Sequence, residues 1–492
     1  MRYHIFIVIL CAKLNLASAS DFYFAYKPAH IPIQEAICEL RLKDAESNLS
    51  KVAANDKYNV VNDYLRLYLV FYRIMVHQDK SLYPLFNATK NNCIEAVKKL
   101  DNSSPYKGYI KGSALLLGAL VDGAFEEYLG AVTGFRAAHS EINANEKAFP
   151  NFLSNKKELG VLQALIGTIP AQYKWITDAV GLKGSIKDGL KLLGSYLDHS
   201  KLEPLLERHQ AALFYALIEL NFEDKKAAFN FYRSYATNTK ENLMQVFVLV
   251  YIAEKSGNNE VALQVLKQAP SSDAYEKIPY LNYLMGDILL HKLDYTAAIW
   301  FKKYLSTSVT KNSAKDAYTR LSWIELLCHN KEKFLVYRGM AQKLQKQSSS
   351  EVKLVDQDLS AGIFPDTLLL KARLLFDGGY YDKAKLVLHE VSEKVFPSQF
   401  QQTEYFYRLG RISQEENRPS DAISNYKKCL EYGVKVNTYL LPNACLQLGN
   451  IYAKLGYKDL AADYYKKVAT FSKYDYEDSI KQLAKVGLKK LE

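Results

Sequence analysis

The side chains that could carry out catalysis are scattered rather than clustered in this sequence. The nine histidines include no pair spaced i, i+4, the spacing that places two imidazoles on one helix face around zinc. Cys328 and His329 are adjacent, and adjacent helical residues point about 100° apart, so they cannot act as a nucleophile and its base. Neither a phosphate-binding glycine loop nor a serine nucleophile motif is present. We therefore predict no catalytic residue, no metal site and no cofactor, and we interpret the protein as not an enzyme.

Other residues have types and spacings that favour binding of a polypeptide. Between Thr403 and Ala469 one pattern occurs twice: a glycine, an alanine twelve residues later, and a tyrosine four residues after the alanine. These positions are Gly410, Ala422 and Tyr426 in the first copy and Gly449, Ala461 and Tyr465 in the second. A glycine allows two helices to approach closely, an alanine fits where they cross, and a tyrosine fills the space beside the next unit. The pattern therefore predicts stacked helix pairs.

This doubled pattern resembles the tetratricopeptide repeat. It departs from the family at Ser413, where a tyrosine is usual, and at Val434, where a proline is usual. The two copies also lie 39 residues apart, whereas the family repeat is about 34 residues long. The resemblance implies a scaffold of helix pairs that binds partners without catalysis.

The first helix of each copy carries side chains away from the packing positions, and these are the candidates for partner binding. They could hold a peptide backbone or an acidic terminus through charge-assisted hydrogen bonds. For any single one of them, ordinary solvated surface is the alternative that the sequence favours. The candidate partner-binding residues are Tyr405, Arg408, Arg411, Gln447, Asn450 and Lys454.

Alanines at a similar spacing occur upstream. Ala227, Ala262 and Ala297 lie 35 residues apart, and each is followed four residues later by a large apolar residue. Stacked helix pairs require such equal spacing of equivalent positions. Glycine (23) and proline (13) are sparse, which favours helices throughout. We predict an all-α fold in which TPR-like helix–turn–helix repeats stack into a right-handed superhelical solenoid, with a divergent helical N-terminal half.

Composition divides the chain into five predicted parts. Residues 1–19 form a cleaved signal peptide, and residues 20–200 form the divergent N-terminal helical domain. Residues 201–345 contain TPR-like repeats, and residues 346–363 form a polar, serine-rich linker or loop. Residues 364–492 contain the C-terminal repeats and end in an amphipathic capping helix.

The N-terminus has the parts of an export signal. Arg2 precedes an apolar run from Ile5 to Cys11, and the segment ends in Ala17-Ser18-Ala19, so we expect cleavage after Ala19. A buried first helix is the alternative interpretation. No stretch supplies the roughly 20 apolar residues of a transmembrane helix, although peripheral association with a membrane stays open. We predict an exported protein, located in the periplasm or cell envelope if the source is bacterial.

A stretch in the middle of the chain, residues 159–197, shows a second resemblance. Its order of residues, GTIP followed by a tryptophan and then AVGLKG, resembles the tetratricopeptide-repeat protein 39 and yeast inclusion-body-clearance family. It departs at Leu182 and Ser185, where phenylalanine and aspartate are usual. This resemblance implies an all-helical scaffold without catalysis, and it transfers no binding residue.

Charge and cysteine content exclude other classes of protein. The net charge is +11, but the 64 basic and 53 acidic residues are interleaved, so we predict no nucleic-acid partner. Without Cys11, five scattered cysteines remain, which is not a disulfide framework. Pairing of Cys429 with Cys445 is left open.

Two functional hypotheses follow from these patterns. The first is a non-catalytic exported TPR scaffold that binds a protein or peptide partner in a concave groove. The alternative is an envelope-associated protein that binds glycans or small molecules, a hypothesis motivated by the export signal and the 37 tyrosines. Against it, the chain has only three tryptophans, and each lies in an apolar helical segment.

Overall fold

The computed structural model describes residues 21–168, 184–308, 313–344, 350–389 and 391–491. The predicted signal peptide therefore lies outside the described residues, and so do residues 169–183 of the stretch with the second resemblance. The described residues form helices joined by short turns, with an isolated parallel β-bridge between Tyr23 and Asn59. The predicted all-α fold is confirmed.

Within residues 21–168 and 184–199, eight α-helices precede the regular repeats. They are α1 (Ile31–Cys38), α2 (Leu42–Asn55), α3 (Val61–His77), α4 (Tyr83–Lys98), α5 (Pro105–Ala124), α6 (Tyr128–Ala148), α7 (Ser154–Gly167) and α8 (Ile186–His199).

The helices that follow form successive pairs. They are α9 (Leu205–Phe222) and α10 (Lys225–Tyr235), α11 (Leu243–Lys255) and α12 (Asn259–Lys267), α13 (Pro279–His291) and α14 (Ala297–Thr307), α15 (Ala314–Leu327) and α16 (Lys331–Lys343), α18 (Thr367–Asp377) and α19 (Tyr381–His389), α20 (Gln399–Glu415) and α21 (Pro419–Tyr432), and α22 (Leu440–Lys454) and α23 (Lys458–Val468). The unpaired helices are α17 (Ser350–Ser360) and the C-terminal α24 (Glu477–Lys489).

The last two pairs are held by close packing of a glycine against a tyrosine ring. A Cβ atom added to Gly410 would lie 2.7 Å from the ring of Tyr426, and one added to Gly449 would lie 2.5 Å from the ring of Tyr465. The alanines at the crossings, Ala422 and Ala461, are fully buried. The first helices of neighbouring pairs also contact each other, which stacks the pairs into a solenoid.

The predicted register of the first pair was wrong by one residue. Ala227 is exposed, whereas Ala228 and Tyr232 are buried. Asp224 caps α10 by accepting hydrogen bonds from the backbone N–H groups of Lys226 (2.7 Å) and Ala227 (3.2 Å). This cap fixes where the helix begins. The residues of the buried face therefore lie one position later in the sequence than the alanine spacing predicts.

The segment 346–363, predicted as a linker or loop, contains helix α17. Leu354, Val355 and Leu359 recur at helical spacing and pack against the neighbouring apolar cores. Asp356 forms an ion pair with Arg338 at 2.7 Å. These contacts hold the segment against the core. Its composition is rich in serine and charged residues, so the composition alone does not indicate a helix with an apolar face.

The predicted boundary near residue 200 does not separate two cores. One continuous apolar cluster extends from Ile33 to Ile288. A buried polar network crosses the same boundary: Lys157 on α7 forms an ion pair with Glu207 on α9, and Glu207 accepts hydrogen bonds from Tyr64 (2.7 Å) and Tyr109 (2.6 Å). The first helix of the repeats, α9, therefore shares its core and its buried polar contacts with the N-terminal half.

The close packing within each pair predicts the effect of adding a methyl group. Replacing Gly449 by alanine should lower the free energy of unfolding by about 1–3 kcal/mol, because the new Cβ atom overlaps the Tyr465 ring. The matched control is Gly339→Ala on α16, where a Cβ atom meets no heavy atom within 4 Å. The control should raise stability by about 0.5–1 kcal/mol, since glycine disfavours a helix. Urea unfolding followed by circular dichroism measures both changes, and equal effects of the two substitutions would contradict the packing argument.

Candidate partner-binding surface

Two of the predicted binding residues on α20 are largely buried. Tyr405 is 7% exposed, and its hydroxyl donates a hydrogen bond to the carbonyl of Val391 at 2.7 Å. Arg408 is 5% exposed, and its Nη2 atom donates to Glu404 Oε1 at 2.7 Å. These contacts show a packing role for both side chains, and their partner-binding role stays a prediction.

The predicted residues on α22 connect helices to one another. Gln447 accepts a hydrogen bond from Gln414 on α20 at 3.0 Å, and Asn450 accepts one from Tyr465 on α23 at 2.8 Å. Lys454 differs, because it is exposed at the C-terminal end of α22. The α22 residues thus include one side chain that is available to solvent and two that hold neighbouring helices.

Arg411 on α20 is the predicted residue with the most distinctive surroundings. Its guanidinium lies over the ring of Phe376 on α18, 4.7 Å from the ring centroid. Its Nη1 atom donates to the hydroxyl of Tyr407 at 3.3 Å. Burial favours the neutral form of Arg411, but Tyr407 and Tyr426 outweigh it and raise the pKa. Arg411 is therefore a fixed, permanently charged group that remains partly accessible.

The C-terminal pairs fold back onto the first two pairs, and we call this contact region the arm junction. Its centre is the approach of two turns at Gly257 and Gly379, where a Cβ atom on Gly379 would lie 1.9 Å from the carbonyl oxygen of Gly257. Both glycines have positive φ angles, +73° and +81°, which other residues adopt only with strain. Two turns can therefore meet here without side chains between them.

Polar contacts on both sides of the glycines hold the arm junction. Asn259 donates to the hydroxyl of Tyr380 at 3.0 Å, and that hydroxyl donates to Glu260 at 2.8 Å. Lys226 forms an ion pair with Glu415 at 3.1 Å. These contacts join residues that are 120 to 189 positions apart in the sequence.

The C-terminal helix α24 also reaches back to earlier parts of the chain. Lys490, just after α24, forms an ion pair with Glu223, which follows α9. Gln482 on α24 donates a hydrogen bond to the carbonyl of Gly167 at 3.5 Å. The predicted capping helix therefore covers the end of the solenoid and connects it to the first repeat.

Lys225 lies at the arm junction and was not among the predicted residues. It is exposed, and it has no hydrogen-bond or ion-pair partner within the described part of the chain. Partial desolvation by the surrounding protein lowers the pKa of its amine, and the positive charges of Arg411 and Lys255 lower it further. No repeat pattern could have identified Lys225, because its neighbours come from pairs distant in sequence.

Trp323 is a poor candidate for a sugar platform, because cationic side chains cover its ring. The ring of Trp323 lies between the guanidiniums of Arg320 and Arg373, at 4.4 and 4.9 Å from the ring centroid. Arg320 is held in turn by Asp287, at 2.7 Å. Trp175 lies outside the described residues.

In the described ranges, no cluster of three or more histidine, cysteine, aspartate or glutamate side chains is arranged to hold a metal ion. No helix among those same residues is long and apolar enough to cross a membrane. Cys429 and Cys445, considered above as a pair, are free thiols, and burial raises the pKa of Cys445 to about 12.

The geometry defines a protein of stacked helix–turn–helix pairs. Residues 403–432 and 442–474 match the family model of the tetratricopeptide repeat, so this part of the chain carries the repeats predicted from its glycine, alanine and tyrosine spacing. The similarity of residues 159–197 to the tetratricopeptide-repeat protein 39 family stays a prediction.

The chain is similar to a chain in the crystal structure of the APC/C hetero-tetramer Cut9-Hcn1, with 14% identity, a TM-score of 0.28, and coverage of 93% of this chain and 95% of that chain. A similarity at this TM-score carries no argument about shape or function. No curated protein sequence matches the chain significantly.

The surroundings of Lys225 predict unusual reactivity of its amine. A lowered pKa increases the fraction of neutral amine, which is the nucleophilic form, so Lys225 should be acylated faster than exposed lysines such as Lys427 below pH 10. Arg411→Met should raise the pKa of Lys225 and slow its acylation at fixed pH, whereas Lys427→Met should leave the rate unchanged. Limiting acylation over a pH series, quantified by peptide mass spectrometry, measures these rates. An Arg411→Met rate equal to the wild-type rate would contradict the assigned electrostatic contact.

Proposed function

We propose that this protein is a non-catalytic scaffold that binds a protein or peptide partner on the surface formed by the first helices of its repeats. The observation that carries the proposal is the arm junction. There, the cationic side chain of Arg411, on a first helix, and that of Lys225, at the start of the second helix α10, remain accessible. Tetratricopeptide repeats at residues 403–432 and 442–474 support the same function.

The proposal includes export from the cytoplasm. Its support is the N-terminal sequence, with Arg2, the apolar run from Ile5 to Cys11 and the small residues that end at Ala19. The mature chain would then begin at Ser20 and meet its partner in the periplasm or cell envelope if the source is bacterial.

Site-specific crosslinking tests the binding surface. A photo-crosslinking residue replaces Lys454 at the end of α22 or Asn221 near the end of α9, two exposed positions on first helices. The control position is Lys427, exposed on the second helix α21. Irradiation in an extract of the source organism should attach one protein, the same one, at Asn221, at Lys454 or at both. The control position Lys427 should attach none, and mass spectrometry identifies the attached protein.

Two outcomes would count against the scaffold function. Equal crosslinking at all three positions would indicate nonspecific association rather than binding on the first helices. Attachment of no protein, together with binding on a glycan array, would favour the alternative of a glycan-binding or small-molecule-binding protein.

A further inference from the structure

A cavity lies where the regular order of helix pairs is interrupted. Helix α17 stands between the pair α15–α16 and the pair α18–α19, and the cavity is lined by the turn at 326–331, the turn at 362–367 and residues 397 and 401 at the start of α20. Its volume is about 370 Å³, at the lower end of the range for pockets that hold small molecules. The cavity therefore has the size for a small ligand.

Contacts between these segments hold the cavity open. The amide nitrogen of Gln401 donates a hydrogen bond to the carbonyl of Phe364 at 2.9 Å, and the hydroxyl of Ser398 donates to Asp358 at 2.7 Å. The ammonium of Lys331 lies over the ring of Phe364, 4.5 Å from the ring centroid. The fold itself therefore forms the cavity, and a ligand would not have to assemble it.

Gln401 leaves one hydrogen-bond acceptor unused at this cavity. The residue is 3% exposed, and its side-chain oxygen Oε1 has no hydrogen-bond partner in the described part of the chain. A buried polar atom without a partner lowers stability. Gln401 and Leu326 are the buried residues of the lining, and the others are half-buried or exposed, so these two form its inner end. A ligand with an N–H or O–H donor at that end would satisfy the oxygen.

The outer end of the cavity offers donors to an anion. Lys331 and His329 are exposed, and neither side chain has a hydrogen bond or ion pair within the described residues. One carboxylate, Asp366, also lines the cavity, but its Oδ1 atom caps α18 by accepting from the backbone N–H groups of Leu368 (2.8 Å) and Leu369 (3.0 Å). The Lys331 ammonium is therefore available for a charge-assisted hydrogen bond to a ligand carboxylate.

The walls between the two ends are apolar and partly flat. They include the ring of Phe364 and the pyrrolidine rings of Pro365 and Pro397, together with the aliphatic side chains of Ile363 and Leu326. Flat apolar surfaces favour a flat aromatic ring, which buries a large area and stacks on other rings. The middle of the ligand should therefore be aromatic.

We propose that this cavity binds a small aromatic carboxylate whose ring carries an N–H or O–H donor. The donor pairs with Oε1 of Gln401, the ring lies against Phe364 and the prolines, and the carboxylate accepts a hydrogen bond from Lys331. This site lies among turns between helices rather than on the exposed faces of the first helices. It is thus a second ligand site, beyond the proposed scaffold function.

Three closely related probes test each part of the assignment. They are 4-hydroxyphenylacetate, 4-methoxyphenylacetate, which lacks the donor, and 4-hydroxyphenylacetamide, which lacks the charge. Ligand-observed NMR titration with the full mature chain measures their dissociation constants. The first probe should bind about tenfold or more tightly than the methoxy probe, which leaves Oε1 of Gln401 unpaired, and about tenfold or more tightly than the acetamide, which loses the charge-assisted hydrogen bond.

Variants of two lining residues should remove these preferences one at a time. Lys331→Met should abolish the preference for the carboxylate over the acetamide, and Gln401→Met should abolish the preference for the hydroxyl over the methoxy group. The matched control is Lys333→Met, which removes an exposed charge from the same turn of α16 and should leave all three affinities unchanged. Circular dichroism verifies that each variant keeps its helix content.

Three results would overturn the inference. They are absence of binding by all three probes, equal affinities of the wild type for the hydroxy and methoxy probes, and equal losses in Lys331→Met and Lys333→Met. The wild-type probe comparison and the exposed Lys331 decide the matter if Gln401→Met fails to fold. The crosslinking pattern at Asn221 and Lys454 does not depend on this cavity, so each proposal can fail without the other.

Discussion

Stacking of the pairs depends on the distance between the two helices of a pair. In three pairs that distance is set where a glycine of the first helix meets an aromatic ring of the second, at Gly286 and Phe301, Gly410 and Tyr426, and Gly449 and Tyr465. A side chain larger than hydrogen at the glycine position would push the helices apart and change the angle at which they pack. Because each pair contacts the next, a change at one crossing would shift all later pairs relative to the first ones. The meeting of distant turns at Gly257 and Gly379 therefore depends on accurate packing in the pairs between them.

Local and distant contacts differ in how far they could be predicted from sequence. The spacing of Gly449, Ala461 and Tyr465 predicts a helix pair because all its contacts lie within one repeat. The spacing failed at Ala227, where the cap at Asp224 sets the register, and it overlooked α17, whose apolar residues are surrounded by serine and charged residues. Capping and burial at these places depend on a few atoms that a repeat pattern does not describe.

The candidate site was predicted only in part, because several of its contacts join residues from different repeats. Arg411 was identified because it lies on a first helix, away from the packing positions. Tyr405 and Arg408 met the same criterion but are buried. Tyr405 packs against Phe396 and Arg408 forms an ion pair with Glu404, contacts that the repeat pattern does not describe. Lys225 could not be predicted, because the residues that shift its pKa come from α11 and α20, and only the closed arrangement of the solenoid brings them together. Each pair is rotated slightly relative to the one before it, and these rotations together bring distant pairs into contact. The spacing of residues within a repeat does not determine the size of the rotations.

Two lysines show how burial and pairing distinguish a structural charge from one available to a ligand. Lys157 is fully buried, forms ion pairs with Glu158 and Glu207, and has a pKa raised by them despite its burial. Its charge is satisfied within the protein, and removal of the lysine would leave carboxylates buried without a counterion, so it serves the fold. Lys225 has the opposite properties: it is accessible, it lacks an internal partner, and partial desolvation together with nearby cations lowers its pKa. Folding gains no ion pair from a charge in that position, so its ammonium keeps its N–H donors for groups outside the fold.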